Sequence, residues 1–279
     1  MPQSSVVDRS ANLLGGFATI DKANAADFVG RLDVMSAIDF FRQYKAETFR
    51  LMAVSAGAHV GDVGCGTGED ARALAGLVGT GGSVTAFDVS DAMLAEAARR
   101  HGDAAANLHF VRAGIDSLGV DDAAFDAVRV DRVLVHVADP AQALKELVRA
   151  VRPGGRVVIS EPDMASVWAT TSMPDVGRVI LDGVARSVAN PLVARSLVDL
   201  FLDAGLTNVH IEARAMVIND PEPGERILNL SAVAEALVRS GALELEQAQR
   251  WLGELFERNS VGRFLGGMTI FIVAGTKPS

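Results

Sequence analysis

The sequence of 279 residues contains a single cysteine, Cys65, so no disulfide can form within the chain and a reducing, cytoplasmic setting is the simplest expectation. Basic residues are in deficit, with 26 Lys and Arg against 35 Asp and Glu and a net charge of −9. That balance opposes nucleic acid and anionic membrane surfaces, whose charges would repel the chain, and favours a neutral or cationic partner. No apolar run approaches the roughly 18 residues of a spanning helix, and no basic segment followed by an apolar stretch opens the chain. Neither an anchor nor an export signal is therefore expected. Metal-ligand spacings such as C-x-x-C or H-E-x-x-H do not occur, so no metal centre is predicted. Repeats, low-complexity tracts and linkers are missing as well. What is present suits one globular domain, with 49% hydrophobic and 22% charged residues and enough length for a substantial core.

The most informative stretch is His59-Val60-Gly61-Asp62-Val63-Gly64-Cys65-Gly66-Thr67-Gly68-Glu69-Asp70. A short apolar run ends in three alternating glycines and then turns helical, which reads as strand, glycine loop and helix start. Gly64, Gly66 and Gly68 permit positive φ and open main-chain atoms to a ligand, and Cys65 is the small side chain between them. A dinucleotide fingerprint needs a glycine where Glu69 stands, and a P-loop needs a lysine at that same place. Glu69 and Asp70 in the first helical turn would also repel a pyrophosphate. S-adenosylmethionine has no phosphate but carries a sulfonium and an ammonium, so acidic neighbours help it. Asp62 is placed for that role.

Val60 to Gly68 resembles motif I of the class I S-adenosylmethionine-dependent methyltransferases, roughly E/D-x-G-x-G-x-G, which Asp62, Gly64, Gly66 and Gly68 match position by position. A second match follows in register. Ser83 to Val89 reads as a strand with Asp88 at its carboxyl end, about 20 residues beyond the loop, where a ribose finds an acidic partner. The resemblance implies that Asp88 holds both ribose hydroxyls, with Val89 beside it. It also implies the fold, an α/β Rossmann-like sheet of seven mostly parallel strands with helices on both faces and a helical cap, the last strand antiparallel between the fifth and sixth.

Residues 1–30 show little periodicity and are expected to be partly loose, so that residues 1–34 form an N-terminal segment and 35–279 the methyltransferase domain. Asp33 to Met52 carries apolar residues at helical spacing and predicts one helix. In the resembled family a helix here often closes over the cofactor, which makes Phe41, Arg42 and Tyr44 candidate lid contacts, against the plainer reading of core packing. Strands are predicted near 59–64, 83–89, 108–113, 125–130 and 156–161, and helices near 68–78, 91–101 and 140–151, with Asp91 and Asp139 as N-caps. Pro153-Gly154-Gly155 turns the chain from helix into the fifth strand. A helix near 192–204 and strands over Asn208 to Ile218 and Phe264 to Thr276 complete the chain.

Ligands of such sheets lie beyond the carboxyl ends of the strands, and that rule selects the remaining candidates. After the third strand stands Gly114-Ile115-Asp116. Many members of the resembled family have G-D-A here, the Asp bonding the adenine amino group. Gly114 occupies that position, leaving Ile115 a backbone contact and apolar cover, while Asp116 either substitutes for the missing carboxylate or is a solvated loop charge. After the fourth strand, Val130-Asp131-Arg132-Val133-Leu134-Val135-His136-Val137-Ala138-Asp139-Pro140 resembles the family's VLxHxxDP segment. Val130 would face the cofactor through its backbone, and Asp131 or Arg132 would touch substrate. His136 is the natural proton acceptor, although a histidine between two valines also suits a purely structural role. Glu161 and Asp163 after the fifth strand offer a base or a cation site, or else bond loop backbone and cap the next helix. The catalytic candidates are thus His136, Asp131 and Glu161. The cofactor candidates are Asp62, Gly64, Cys65, Gly66, Gly68, Asp88, Val89, Gly114, Ile115, Asp116, Val130 and Tyr44.

Two segments exceed a minimal sheet, near 163–191 and 220–262, and both are apolar, as with Ile227, Leu228, Trp251 and Phe256. Inserted helices at this rim are natural substrate covers. The expectation is methyl transfer to a small, largely apolar molecule, in secondary-metabolite biosynthesis. An S-adenosylmethionine-binding protein without methylating activity, a cyclase or sensor, is the alternative. A nicotinamide oxidoreductase is opposed by Glu69. The oligomeric state is left open.

Overall fold

The computed structural model describes residues 25–102 and 106–279. The looseness expected of the N-terminal residues lies, up to residue 24, outside the described residues. From Ala25 the chain is helical, and the single helix expected over Asp33 to Met52 is two, α1 (Ala25–Ala37) and α2 (Asp39–Met52). They are broken at Ile38, whose backbone is extended at φ −85° and ψ 125°. Arg42, expected in the lid, instead donates to the carbonyls of Ser36 and Ala37 at 3.2 and 3.0 Å. Those are orphan acceptors at the end of α1, so the break is satisfied locally, and helical periodicity cannot reveal a turn made without Gly or Pro.

The sheet is built from β1 (His59–Val63), β2 (Ser83–Asp88), β3 (Leu108–Arg112), β4 (Phe125–Asp131), β5 (Val151–Ala169), β6 (Thr207–Ile218) and β7 (Gly266–Thr276). Their order is β3-β2-β1-β4-β5-β7-β6, and β7 runs antiparallel to both neighbours, as expected. The first five strands are parallel and joined through α3 (Glu69–Val78), α4 (Asp91–His101) and α5 (Pro140–Ala150), with α7 (Val193–Asp203) leading into β6. Their central positions are buried on both sides of the sheet, which is why Val60, Ala86, Val128, Val157 and Val158 are all wholly inaccessible. Asp139 caps α5, accepting from the Gln142 amide at 3.0 Å. The cap of α4 is Ser90 rather than Asp91, its hydroxyl accepting from the Met93 amide at 3.1 Å.

β5 is longer than the sequence suggests. The expected turn at Pro153–Gly155 survives as an irregular entry in which Gly154 takes φ +76° and bonds the carbonyl of Lys277 at 2.8 Å. At the other end the strand continues to Ala169, so Asp163 bonds Arg195 of α7 at 2.9 Å instead of capping a helix. The extension is held by β7, where Trp168 pairs Gly267. A Cβ on Gly267 would lie 2.2 Å from the Met216 carbonyl and 3.1 Å from the Trp168 ring, so only glycine admits both neighbours. The cap helices α6 (Pro174–Arg186), α8 (Pro221–Leu228), α9 (Leu230–Arg239) and α10 (Leu245–Ser260) ride on these projecting strands, with Trp251 of α10 fully buried. Among the described residues no helix is long and apolar enough to cross a membrane.

Candidate active site

A cavity of about 750 Å³ opens at the carboxyl ends of β1, β2 and β4, within the range of pockets that hold small ligands. One wall is the glycine loop with Asp62, Asp88, Val89, Ala113 and Ile115; α1 and α2 cover it with Phe28, Leu32, Met35 and Phe41. The opposite wall is apolar, formed by Met164, Val188, Ile227, Leu228, Met268 and Ile270.

The loop takes its shape from the strands beneath it. The amides of Gly64 and Cys65 both donate to the Phe87 carbonyl, at 2.8 and 2.9 Å, fastening the loop to the end of β2. All three glycines have positive φ, as expected. Their openings are not all for a ligand. A Cβ on Gly64 would lie 2.2 Å from Val133, and one on Gly68 would lie 3.0 Å from Phe110, so both admit protein side chains. Gly64 still lines the cavity; Gly68 does not.

Asp88 is buried and closes the loop from below. Its carboxylate accepts from the Gly66 amide and from the Ser90 amide, both at 2.9 Å. Asp62 is deeper, with one oxygen held by Arg129 at 3.1 Å and the other, Oδ2, buried without a hydrogen-bond partner. Burial pushes its carboxyl up to about 6, against the pull of Arg129. An orphan acceptor at the cavity wall is what an ammonium group would satisfy, and the residues present fit the cofactor on that ground.

Arg129, in the middle of β4, was not anticipated. It is 1% exposed, donates to the Thr48 hydroxyl at 2.7 Å, and its Nη2 lies 3.1 and 3.2 Å from Asp70 and Asp131. Lys45 of α2 meets Asp70 at 2.8 Å, so α2, α3 and the sheet share one buried ionic network. The signal was available: a lone charge among Ala127, Val128 and Val130 in a central strand demands buried partners.

Several candidates sit elsewhere than the sequence reading placed them. Tyr44 is fully packed and absent from the cavity wall; its hydroxyl donates to Asp131 at 2.9 Å. Val130 is buried in the sheet, and Gly114 and Asp116 are likewise off the wall. Asp116 is exposed and packs back on Gly114, where a Cβ would lie 2.5 Å from its carboxylate. Asp131 lines the cavity but accepts from Tyr44 and from Ser160 at 2.7 Å. Burial raises its carboxyl, yet Arg132, Arg129 and Lys45 outweigh that and hold it well below the usual range, which makes it a poor base. Glu161 is wholly buried beneath the loop after β4, accepting from the amides of Val133 and Leu134 at 2.9 and 2.6 Å. Burial pushes it up to about 8 against those bonds, and its place is to shape the loop rather than to face the cavity.

That loop carries a single 3-10 turn, Leu134–His136, and His136 does line the cavity. Burial, then the charge of Arg132, lowers its imidazole to about 4, so it is neutral at physiological pH. Arg132, Val133, Val135 and Val137 line the wall around it. Cys65 and Val89 also line it, and burial raises the Cys65 thiol, so the thiolate is suppressed.

A seven-stranded sheet of this order, with an acidic glycine loop at its switch point, defines a Rossmann-like enzyme that binds an adenosyl cofactor lacking a pyrophosphate. Comparison with known proteins agrees. The methyltransferase domain profile matches residues 61–159. Demethylmenaquinone methyltransferase of Bacillus mycoides is 31% identical over 201 residues, 65% of this chain and 85% of that protein. An uncharacterized 37.1 kDa protein of transposon TN4556 from Streptomyces fradiae is 36% identical over 250 residues, 88% of this chain and 70% of that protein. Among solved structures, phosphoethanolamine N-methyltransferase 2 of Haemonchus contortus with S-adenosylmethionine shares the fold, at TM-score 0.61 and 18% identity, covering 94% of this chain and 60% of that one. The chain belongs to the class I S-adenosylmethionine-dependent methyltransferases, and S-adenosylmethionine is its cofactor.

Proposed function

We propose that this methyltransferase alkylates a small, largely apolar molecule in the biosynthesis of a secondary metabolite. The apolar residues Met164, Val188, Ile227, Leu228, Met268 and Ile270 carry the reading, because they line the same cavity as the glycine loop. The name of the Bacillus mycoides relative, a methyltransferase of demethylmenaquinone, supports an apolar acceptor. The net charge of −9 supports a small molecule over nucleic acid, and the single cysteine a reducing, cytoplasmic setting. Residues 35–279 act as one methyltransferase domain, with covers near 163–191 and 220–262.

Bound S-adenosylmethionine supplies an activated methyl group on a sulfonium. In this assignment Asp62 takes the ammonium, Asp88 takes the ribose hydroxyls, and Val89 and Ile115 flank the adenine. Cys65 and Gly66 offer the close approach of the loop. α1 and α2 exclude water, and the opposite wall orients the acceptor; for an in-line displacement, such positioning is most of the catalysis. His136, held neutral by burial, lines the same wall and adds no charge beside the acceptor. Calorimetric titration with S-adenosylmethionine, S-adenosylhomocysteine and NAD tests the cofactor assignment. Following S-adenosylhomocysteine formation with apolar hydroxyl and ring acceptors, against charged amines and acids, tests the acceptor. Turnover of only the charged set would overturn the reading.

A further inference from the structure

Among the described residues four cations line the cavity, and their surroundings differ. Lys45 is engaged by Asp70 at 2.8 Å, and Arg129 is enclosed by Asp62, Asp70 and Asp131. The guanidinium of Arg31 lies 5.3 Å above the Phe28 ring on α1. Arg132, at the carboxyl end of β4, is held otherwise. Its backbone takes φ +59°, a costly conformation for a residue with a long side chain, and its amide donates to the Ser160 carbonyl at 2.8 Å.

The guanidinium of Arg132 lies 5.3 Å over the Phe41 ring, and one terminal nitrogen touches the Met35 sulfur. Its Nε is 3.4 Å from Asp131, whose oxygens are nearer to Ser160 at 2.7 Å, Tyr44 at 2.9 Å and Arg129 at 3.2 Å. Among the described residues, no carboxylate or carbonyl meets the terminal nitrogens of Arg132, and a thioether is a weak acceptor. A pre-positioned guanidinium, paired with Asp131 through Nε and offering its terminal nitrogens only a thioether, thus shares the cavity wall with the apolar residues.

We propose that Arg132 binds the oxygen that receives the methyl group, so that the acceptor is a weakly acidic hydroxyl compound, a phenol or enol on an apolar ring, held as its oxyanion. This rests on the apolar-acceptor reading and narrows it. Amines fit poorly because a cationic acceptor would meet the guanidinium. Carboxylic acids fit poorly because Asp62, Asp70, Asp88 and Asp131 line the same cavity and oppose an anion on entry. A neutral hydroxyl enters uncharged and ionises only beside Arg132. The O–H bond breaks with its electron pair left on oxygen, and the proton leaves to water. That oxygen then forms its bond to the methyl carbon as the carbon–sulfur bond breaks and its pair returns to sulfur. The product is a neutral ether, which has lost its attraction to Arg132 and is free to leave.

The test uses the full chain saturated with S-adenosylhomocysteine, with 4-nitrophenol as probe and 4-nitroanisole as its neutral analogue. The phenolate of 4-nitrophenol absorbs visibly and the phenol does not, so absorbance against pH reports the state of the bound ligand. The expected result is a bound phenol that ionises about one pH unit lower than in solution, a roughly tenfold preference for the phenolate. Arg132→Met should abolish that shift, and Arg132→Lys should keep a smaller one, because an ammonium retains the charge without the fork. Thermal stabilisation of each variant by S-adenosylhomocysteine verifies that it is folded. Binding of both ligands with no phenolate shift, or a shift that survives in Arg132→Met, overturns the role of Arg132 while leaving the apolar acceptor standing. Binding of neither ligand overturns both.

Discussion

Replacing Asp62 by Asn separates the demands of folding from those of cofactor binding. The carboxylate is 1% exposed, one oxygen is held by Arg129, and burial raises its pKa from 3.8 to about 6. An acid whose folded value lies above its unfolded value binds its proton more tightly when folded. Stability therefore falls as pH rises from about 4 to about 6, and the whole cost is present above that window. The difference corresponds to roughly 3 kcal/mol. Asn keeps an oxygen for Arg129 and does not titrate, so Asp62→Asn should lose this pH dependence and gain on the wild type in neutral and mildly alkaline buffer. It should also lose the charged partner of the ammonium, weakening S-adenosylhomocysteine by about 1.5–3 kcal/mol, roughly 10- to 150-fold. Urea unfolding at a series of pH values, with calorimetric titration at one of them, reads both effects. Wild type and variant with parallel stability–pH curves would refute the argument, as would a variant that binds the cofactor product unchanged.

Asp88→Ala removes the acceptor of two buried amides as well as the ribose partner, so it should lower stability by about 2–4 kcal/mol in denaturant and weaken S-adenosylhomocysteine further. An unchanged affinity in the calorimeter would remove the ribose role. Gly64→Ala places a methyl 2.2 Å from Val133 at φ +76° and should cost about 2–5 kcal/mol, visible as a fall in melting temperature. Gly66→Ala meets only Leu32 of α1, at 3.1 Å, and should cost distinctly less; equal losses would contradict the packing described for Gly64. With His136 lowered to about 4, kcat should show no rising limb in the neutral range that depends on His136, and any limb from ionisation of the acceptor should persist in His136→Ala. A limb near the ordinary histidine value that disappears in His136→Ala would show that burial does not hold the imidazole neutral.

The sheet and one half of the site were legible because local chemistry determines them. Alternating strand and helix with short links leaves few topologies, and three glycines before an acidic helix start exclude a pyrophosphate wherever the rest of the chain goes. Asp62, Asp88, Cys65, Gly64, Gly66, Val89 and Ile115 follow directly from their places at strand ends, and all line the cavity. Side-chain destinations were a different matter. Tyr44 and Asp131 are 87 positions apart, and nothing local says that the hydroxyl of one satisfies the carboxylate of the other. Glu161 reads as a base until the loop after β4 is seen folded over it, its amides consuming the carboxylate. The reach of β5 to Ala169 and the burial of Arg129 depend likewise on partners from distant segments, while the break at Ile38, made without Gly or Pro, leaves no mark in the helical periodicity. The sequence by itself determined the backbone scaffold and the class of cofactor, since glycine conformation, strand ends and helix-start charges act within a few residues. Tertiary structure alone decided which charged groups are matched within the core and which, as with Arg132, still face the cavity, because desolvation and ion pairing depend on what the fold packs around each group.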